Sequence, residues 1–116
     1  RNTGDSIPVL NIALILPNNA YQNLNVKLEP NALFPNPNEF EIIWEDTLGK
    51  EGLIYFNAED PRFNLDVAAQ IYDQVVRESK FYLKTETEKQ PILSDSISRE
   101  AFHISMIDFY GLARSY

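Results

Sequence analysis

Few side chains in this sequence could carry chemistry. There is one histidine, His103, and no cysteine, so disulfides, thiolate zinc sites and a cysteine nucleophile are excluded. A Ser-His-Asp set would have to combine His103, one of the serines and Asp108, but no serine lies in a nucleophile-elbow sequence. Because the sequence neighbours of His103 offer only one hydroxyl, we interpret it as a surface or strand-face residue. The sequence therefore predicts a protein that is not an enzyme.

The carboxylates are the second group of residues that could form a functional site. Glu45, Asp46, Glu59, Asp60 and Asp66 would form a weak cation site if one end of the fold brought them together. Two pairs among them flank predicted turns, where Asp and Glu are ordinary surface residues. We therefore interpret them as a solvated rim and expect no cofactor there.

Composition and charge exclude several classes of partner. The formal net charge is -7 at pH 7, which disfavours nucleic acid, since phosphate binding needs a basic face. It also disfavours adsorption to anionic membrane surfaces, and the longest apolar run, 12–16, is too short to be inserted across a membrane. The 116 residues are 44% hydrophobic, which predicts one folded domain over 1–116, with 1–6 as a linker or frayed terminus.

Short segments separated by Pro, Asn and Ser turns indicate β-structure. The predicted strands are 7–16, 23–29, 40–44, 53–56, 80–88 and 100–109. Strand 23–29 alternates, with Leu24, Val26 and Leu28 inward, as a half-buried antiparallel strand does. The polar segment 89–98 is predicted to be a loop.

Two segments allow a second interpretation as helix. In 66–79 and just before it, apolar residues recur at helical spacing, at Leu65, Ala68, Ala69, Tyr72, Val75 and Val76. A helix from Ser96 onward would also fit, but the alternation in 100–109 and Gly111 favour a strand there. If 66–79 is strand, about seven short strands describe a two-sheet sandwich. If it is helix, the chain is an α+β domain with one helix at about 66–79 covering an antiparallel sheet of about four or five strands.

The order of features in the second half resembles a cadherin repeat. Residues 63–66 (Phe-Asn-Leu-Asp) match the family's Phe-x-(Ile/Leu)-Asp, and 75–78 (Val-Val-Arg-Glu) stand in the place of its Leu-Asp-Arg-Glu. Segments 81–87 and 102–108 take the places of the strands that follow. The resemblance covers 53–108 and implies an all-β, seven-stranded Greek-key sandwich of the cadherin or immunoglobulin type, which we adopt as the predicted fold.

The resemblance also bears on calcium, which the family holds between repeats through acidic residues. Val76 replaces the first Asp of the motif, so that only Glu78 remains as a metal-ligand remnant, and 109–112 lack the carboxylates expected after Asp108. Calcium needs about six to eight oxygen ligands. We therefore expect weak calcium binding at most, at junctions that are calcium-poor or calcium-free.

The function implied by the resemblance is that of an extracellular, non-catalytic module of a larger adhesion or receptor protein. Such a module acts as a spacer or as a protein-interaction surface, and it contacts neighbouring domains of the same chain. Phe109, Tyr110 and Tyr116 are the predicted contact residues, because an aromatic tail of this kind would be exposed after a last strand ending at Asp108. The helical interpretation of 66–79 leads instead to an α+β protein-interaction domain of a bacterial or viral protein.

Overall fold

The computed structural model describes residues 8–15 and 24–114. Their elements, in chain order, are β1 (Leu10–Ile15), β2 (Asn25–Pro30), β3 (Glu39–Glu45), β4 (Glu51–Asn57), α1 (Arg62–Val76), β5 (Lys80–Lys84), β6 (Lys89–Ile92) and α2 (Ser96–Ala113). Strands β1 and β2 form an antiparallel ribbon, and the other strands form an antiparallel sheet in the order β4-β3-β5-β6. The predicted seven-stranded sandwich is therefore wrong, and the alternative α+β architecture fits.

Segment 66–79 is largely helical, because α1 has apolar neighbours on several sides. Val67, Ala68 and Ile71 are fully buried, and the helix contacts β2, β4 and α2. Helical spacing was the correct signal, but the stripe it outlined is displaced. Val67 and Ile71 lie outside that stripe, whereas Val76, inside it, is 54% exposed.

The strand predicted at 100–109 is also wrong, since this segment belongs to α2. Phe102, Met106 and Phe109 are buried, at the i, i+4, i+7 spacing of one helix face. The helix begins after Asp95, whose side chain accepts a hydrogen bond from the Ser98 amide at 3.2 Å, as an N-cap residue does. Ile104 made the segment look alternating, but its side chain is on the exposed side of the helix.

The other strand predictions are confirmed with shifted bounds. In β2, Val26 and Leu28 are buried as expected, and β3 and β4 form the expected hairpin. The segment 80–88 is strand only to Lys84, because the chain turns at 85–88 and returns as β6. The predicted loop 89–98 is therefore a short edge strand followed by the start of α2.

The inner face of the four-stranded sheet belongs to the same core cluster as the two helices and the β1–β2 ribbon. Ile42, Ile54 and Phe81 from neighbouring strands are buried there. At one end of this face the Trp44 indole lies over Gly52, and a Cβ at that glycine would be 2.4 Å from the Trp44 ring. Gly52 is thus needed for close approach of the tryptophan to the β4 backbone.

Candidate functional site

The outer face of the four-stranded sheet carries an apolar row that crosses all of its strands. The register aligns Leu53 with Ile43, Ile43 with Tyr82, and Tyr82 with Pro91. Leu53, on the edge strand β4, is 50% exposed. Both described helices pack in the core against the inner face of the sheet, so neither covers this row.

Charged residues flank the apolar row on both sides. Glu41 lies 3.8 Å from the Lys84 ammonium. Lys89 Nζ lies 5.0 Å from the centroid of the Tyr82 ring and 3.6 Å from Glu51 Oε2, so this lysine reaches across the face from β6 toward β4. The ion pairs are half exposed and contribute little to stability. The two ends of the row, Leu53 on β4 and Pro91 on β6, are both exposed.

The backbone of β4 has a free side, and the register shows which groups point to it. Asp46 N donates to Lys50 O at 2.8 Å and Ala58 N donates to Asn38 O at 2.7 Å. In an antiparallel pair, hydrogen-bonded and non-hydrogen-bonded positions alternate. Residues 52, 54 and 56 therefore bond to β3, and Glu51, Leu53, Tyr55 and Asn57 direct their N–H and C=O groups away from it. Within 8–15 and 24–114 no strand pairs with that side.

The β1–β2 ribbon shows the same alternation of backbone groups. Asn31 N donates to Val9 O at 2.9 Å, which by alternation points the Leu28 amide away from β1. That amide indeed donates to Asn64 Oδ1 of α1, at 2.9 Å. The alternation rule thus identifies outward amides correctly in this molecule, and here a helix side chain satisfies one of them.

A polar cluster holds Tyr55 on the outer face next to the free side of β4. Its hydroxyl donates to Glu39 Oε2 at 2.5 Å and accepts from Asn57 Nδ2 at 3.1 Å. The hydrogen bond to Glu39 raises the pKa of Tyr55 above its ordinary value, and the bond from Asn57 opposes it. The ring also meets Phe63 of α1 edge-on, with 5.7 Å between centroids. Tyr55 is therefore fixed at the edge, and the residue is 38% exposed.

The hairpin formed by β3 and β4 carries much of the negative charge of the chain. Residues 39–59 contain six carboxylates and one lysine, a formal charge of -5, against -7 for the whole sequence. Two of the six carboxylates, Glu41 and Glu51, are partly neutralised by Lys84 of β5 and Lys89 of β6. The β4 edge is therefore apolar in its centre and acidic in its surroundings.

The residues with the most obvious chemistry are not brought together. His103 lies on α2 and stacks on Tyr72 of α1, with ring centroids 5.3 Å apart. Glu45 and Asp46 lie at the opposite end of the β3–β4 hairpin from Glu59 and Asp60. Asp46 accepts from the amides of its own turn, and Asp60 pairs with Arg62 at 2.8 Å.

Glu78 proves to be part of a helix end. It has a φ of 63° and follows α1, with its own amide donating to Val75 O at 3.0 Å and the Ser79 amide donating to Gln74 O at 2.9 Å. This is the Schellman arrangement, in which a left-handed residue closes the helix. In the part of the chain that the structure describes, no three His, Cys, Asp or Glu side chains are grouped so that they could hold a metal ion.

Two of the three predicted contact residues near the C-terminus, Phe109 and Tyr110, lie on α2 with their rings edge-on, 5.6 Å between centroids. Phe109 is buried in the core. Tyr110 is 38% exposed and packs against Tyr72, with ring centroids 5.6 Å apart. Tyr116 lies outside the described residues.

Comparison of the chain with protein-family models, with curated proteins and with solved structures finds no significant match. Across 8–15 and 24–114, neither helix is both long enough and apolar enough to span a bilayer. The sheet edge itself was missed by sequence reasoning, although alternation in 51–57 gave a usable signal. Once β4 is known to be an edge strand, exposed Leu53 and Tyr55 mark it.

Proposed function

We propose that this chain is a non-catalytic protein-interaction domain that binds an extended segment of a partner protein along the free side of β4. One observation carries the proposal: on this strand the outward backbone groups of Leu53 and Tyr55 coincide with their exposed side chains. Strand addition uses such an edge, since main-chain hydrogen bonds supply affinity and alternate side chains supply specificity.

The length and composition of β4 support this use. It has seven residues and no proline, so that every outward amide can donate. Native proteins usually protect such edges with charge, proline, bulges or short length. Among the described residues, the features of this kind at the β4 edge are the carboxylates around the strand.

The charge indicates the chemistry of the partner segment. An added strand would run beside a hairpin with a formal charge of -5. Glu51 shares the outer face with Leu53 and Tyr55, because alternate residues of a strand point to the same side. Lysine or arginine is therefore favoured at the partner positions on that face, and apolar residues at the positions between them. A second copy of this chain would bring the same acidic edge against itself, and like charges on adjacent strands are destabilising. We therefore take the partner to be a basic extended segment of another protein.

The other predicted roles remain predictions. An extracellular spacer in an adhesion protein, with neighbouring domains as its contacts, followed from the cadherin resemblance, and the β-sandwich that the resemblance implied is not the fold of this chain. The absence of catalysis is likewise part of the present proposal. A protein-interaction domain of α+β architecture is the interpretation that the geometry supports best.

Binding of defined peptides tests the proposal. The probe is a peptide of about eight residues, blocked at both ends, in which lysine alternates with valine; the matched control has glutamate in place of lysine. We expect the lysine peptide to shift the amide resonances of Leu53 and Tyr55 in nitrogen-15 spectra, and the glutamate peptide to leave them unchanged. Shifts confined to other elements, or none with millimolar lysine peptide, would contradict strand addition at β4.

A pair of variants identifies the backbone contribution. Leu53→Pro removes an outward N–H without removing a bond to β3, and Leu53→Val keeps that N–H while shortening the side chain. Because one intermolecular hydrogen bond contributes about 1 kcal/mol, we expect Leu53→Pro to weaken lysine-peptide binding about fivefold or more relative to Leu53→Val. Equal affinities would show that the peptide is held by side chains and not by an added strand.

A further inference from the structure

A concave surface lies away from β4, where the end of α1, the start of β5 and the β6–α2 connection meet. It encloses a half-open cavity of about 490 Å³, a volume within the range of small-molecule sites. We name it the Arg99 groove. Its lining includes Glu78, Lys80, Phe81, Ile92, Leu93 and Arg99.

Arg99 is held in place by a backbone carbonyl and an aromatic ring. Its Nη1 donates to Leu93 O at 3.2 Å, and its guanidinium carbon lies 5.4 Å from the centroid of the Phe81 ring. Among the described residues no carboxylate forms an ion pair with it. Burial lowers the pKa of Arg99, and the charge of Glu78 opposes this effect. A partly desolvated guanidinium with unused donors is suited to receive an oxyanion.

The walls of the groove add two further features. Phe81, Ile92 and Leu93 are buried apolar residues that line it beside the charged groups. Glu78 and Leu93 both have positive φ, 63° and 50°. The first closes α1 and the second turns the chain between β6 and α2, so the backbone changes direction at both rims of the groove.

We propose that the Arg99 groove binds a carboxylate attached to an apolar group, with the carboxylate on Arg99 and the apolar part against Pro91 and the half-buried Tyr82, which also line the groove. The charged lining residues are the cations Lys80 and Arg99 and the anion Glu78. The groove therefore has a formal charge of +1, which suits a monoanion better than a phosphate dianion. Two sources present this chemistry: a small apolar acid, and the C-terminal carboxylate of a peptide ending in an apolar residue. This site is separate from the β4 edge and does not depend on the peptide binding proposed there.

Matched acid and amide ligands test the site in the unmodified protein. The probes are octanoate with octanamide, and N-acetyl-phenylalanine with its amide, followed through the amide resonances of Phe81, Leu93 and Arg99. We expect an acid to bind at least tenfold more tightly than its amide, since charge-assisted hydrogen bonds contribute about 1.5–3 kcal/mol. Preference for octanoate identifies the small-acid source, and preference for N-acetyl-phenylalanine identifies the peptide terminus. Equal binding of acid and amide, or no shifts with either acid at millimolar concentration, would overturn the proposal.

Variants separate ligand binding from a purely structural role of Arg99. Arg99→Gln should weaken acid binding about tenfold or more, while Arg62→Gln, an arginine paired with Asp60 elsewhere, should leave it unchanged. Because Arg99→Gln also removes the bond to Leu93 O, Glu78→Gln provides a second test that keeps Arg99 intact. It removes the nearby negative charge and should tighten acid binding about two- to threefold. Unchanged acid binding in both Arg99→Gln and Glu78→Gln would refute the site.

Discussion

The two edges of the four-stranded sheet differ in how they are closed. β4 has seven residues and β6 has four. Thr85 N donates to Glu88 O at 2.9 Å, so by alternation Lys89 and Pro91 of β6 face outward. Proline has no N–H, and lysine is a residue that discourages strand pairing. The β6 edge therefore offers one outward donor, whereas β4 offers several.

On the free edge of β2, an outward backbone group is occupied in another way. There the outward amide of Leu28 is occupied by Asn64 from α1. The described part of the chain thus closes one edge with proline and occupies part of another with a helix side chain. A long unprotected edge is a hazard for aggregation, and the open side of β4 is the edge for which we propose a partner.

The largest expected effect comes from proline at adjacent positions of β4. Ile54→Pro removes an N–H that the register directs to β3 and also a buried side chain, so it should lower the free energy of unfolding by at least about 3 kcal/mol. Leu53→Pro removes an outward N–H and should cost about 1 kcal/mol. Urea denaturation of both variants measures the difference. Equal losses would mean that the assigned alternation of β4 is wrong.

A medium effect is expected from opening the closed edge. Pro91→Val restores an outward N–H on β6, beside Lys89, without removing a ladder bond. We expect this variant to gain binding of the peptide that alternates glutamate with valine, seen as shifts at Lys89 and Ile92, with a change in unfolding free energy within about 0.5 kcal/mol. Gln90→Val is the matched control, because the amide of Gln90 is directed at β5. A gain in the control, or none in Pro91→Val, would show that the proline does not close this edge.

The smallest effect concerns pH at the open edge. Since the bond to Glu39 raises the pKa of Tyr55 in the folded protein, the folded state retains this proton longer than the unfolded chain. The stabilisation is therefore complete below the ordinary tyrosine pKa of about 10 and is lost as pH rises through the folded value. Carbon-13 NMR titration of labelled tyrosines should show Tyr55 ionising above that ordinary value, and Glu39→Gln should bring it back down. An unchanged titration in Glu39→Gln would remove Glu39 as the cause.

Local pattern predicted the strands better than the helices. The alternation of Val26 and Leu28 and the turn before Gly52 identified β2 and the β3–β4 hairpin. For α1 the helical spacing was visible, but the resemblance to a cadherin repeat led to the opposite choice. For α2, Phe102, Met106 and Phe109 have helical spacing while Phe102, Ile104 and Met106 alternate, so periodicity supported both interpretations. Asp95, placed as an N-cap, was the signal that separated them.

The sequence by itself determined the acidic charge, the lack of cysteine chemistry and the presence of a single histidine, because these depend only on which residues are present. It also set the local turn and strand preferences. Only the tertiary structure decided that β4 is an edge and that Arg99 lies beside Phe81 with no ion pair to a carboxylate of the described residues. Strand order and the meeting of distant segments follow from packing of the whole core, and short-range propensity does not contain that information.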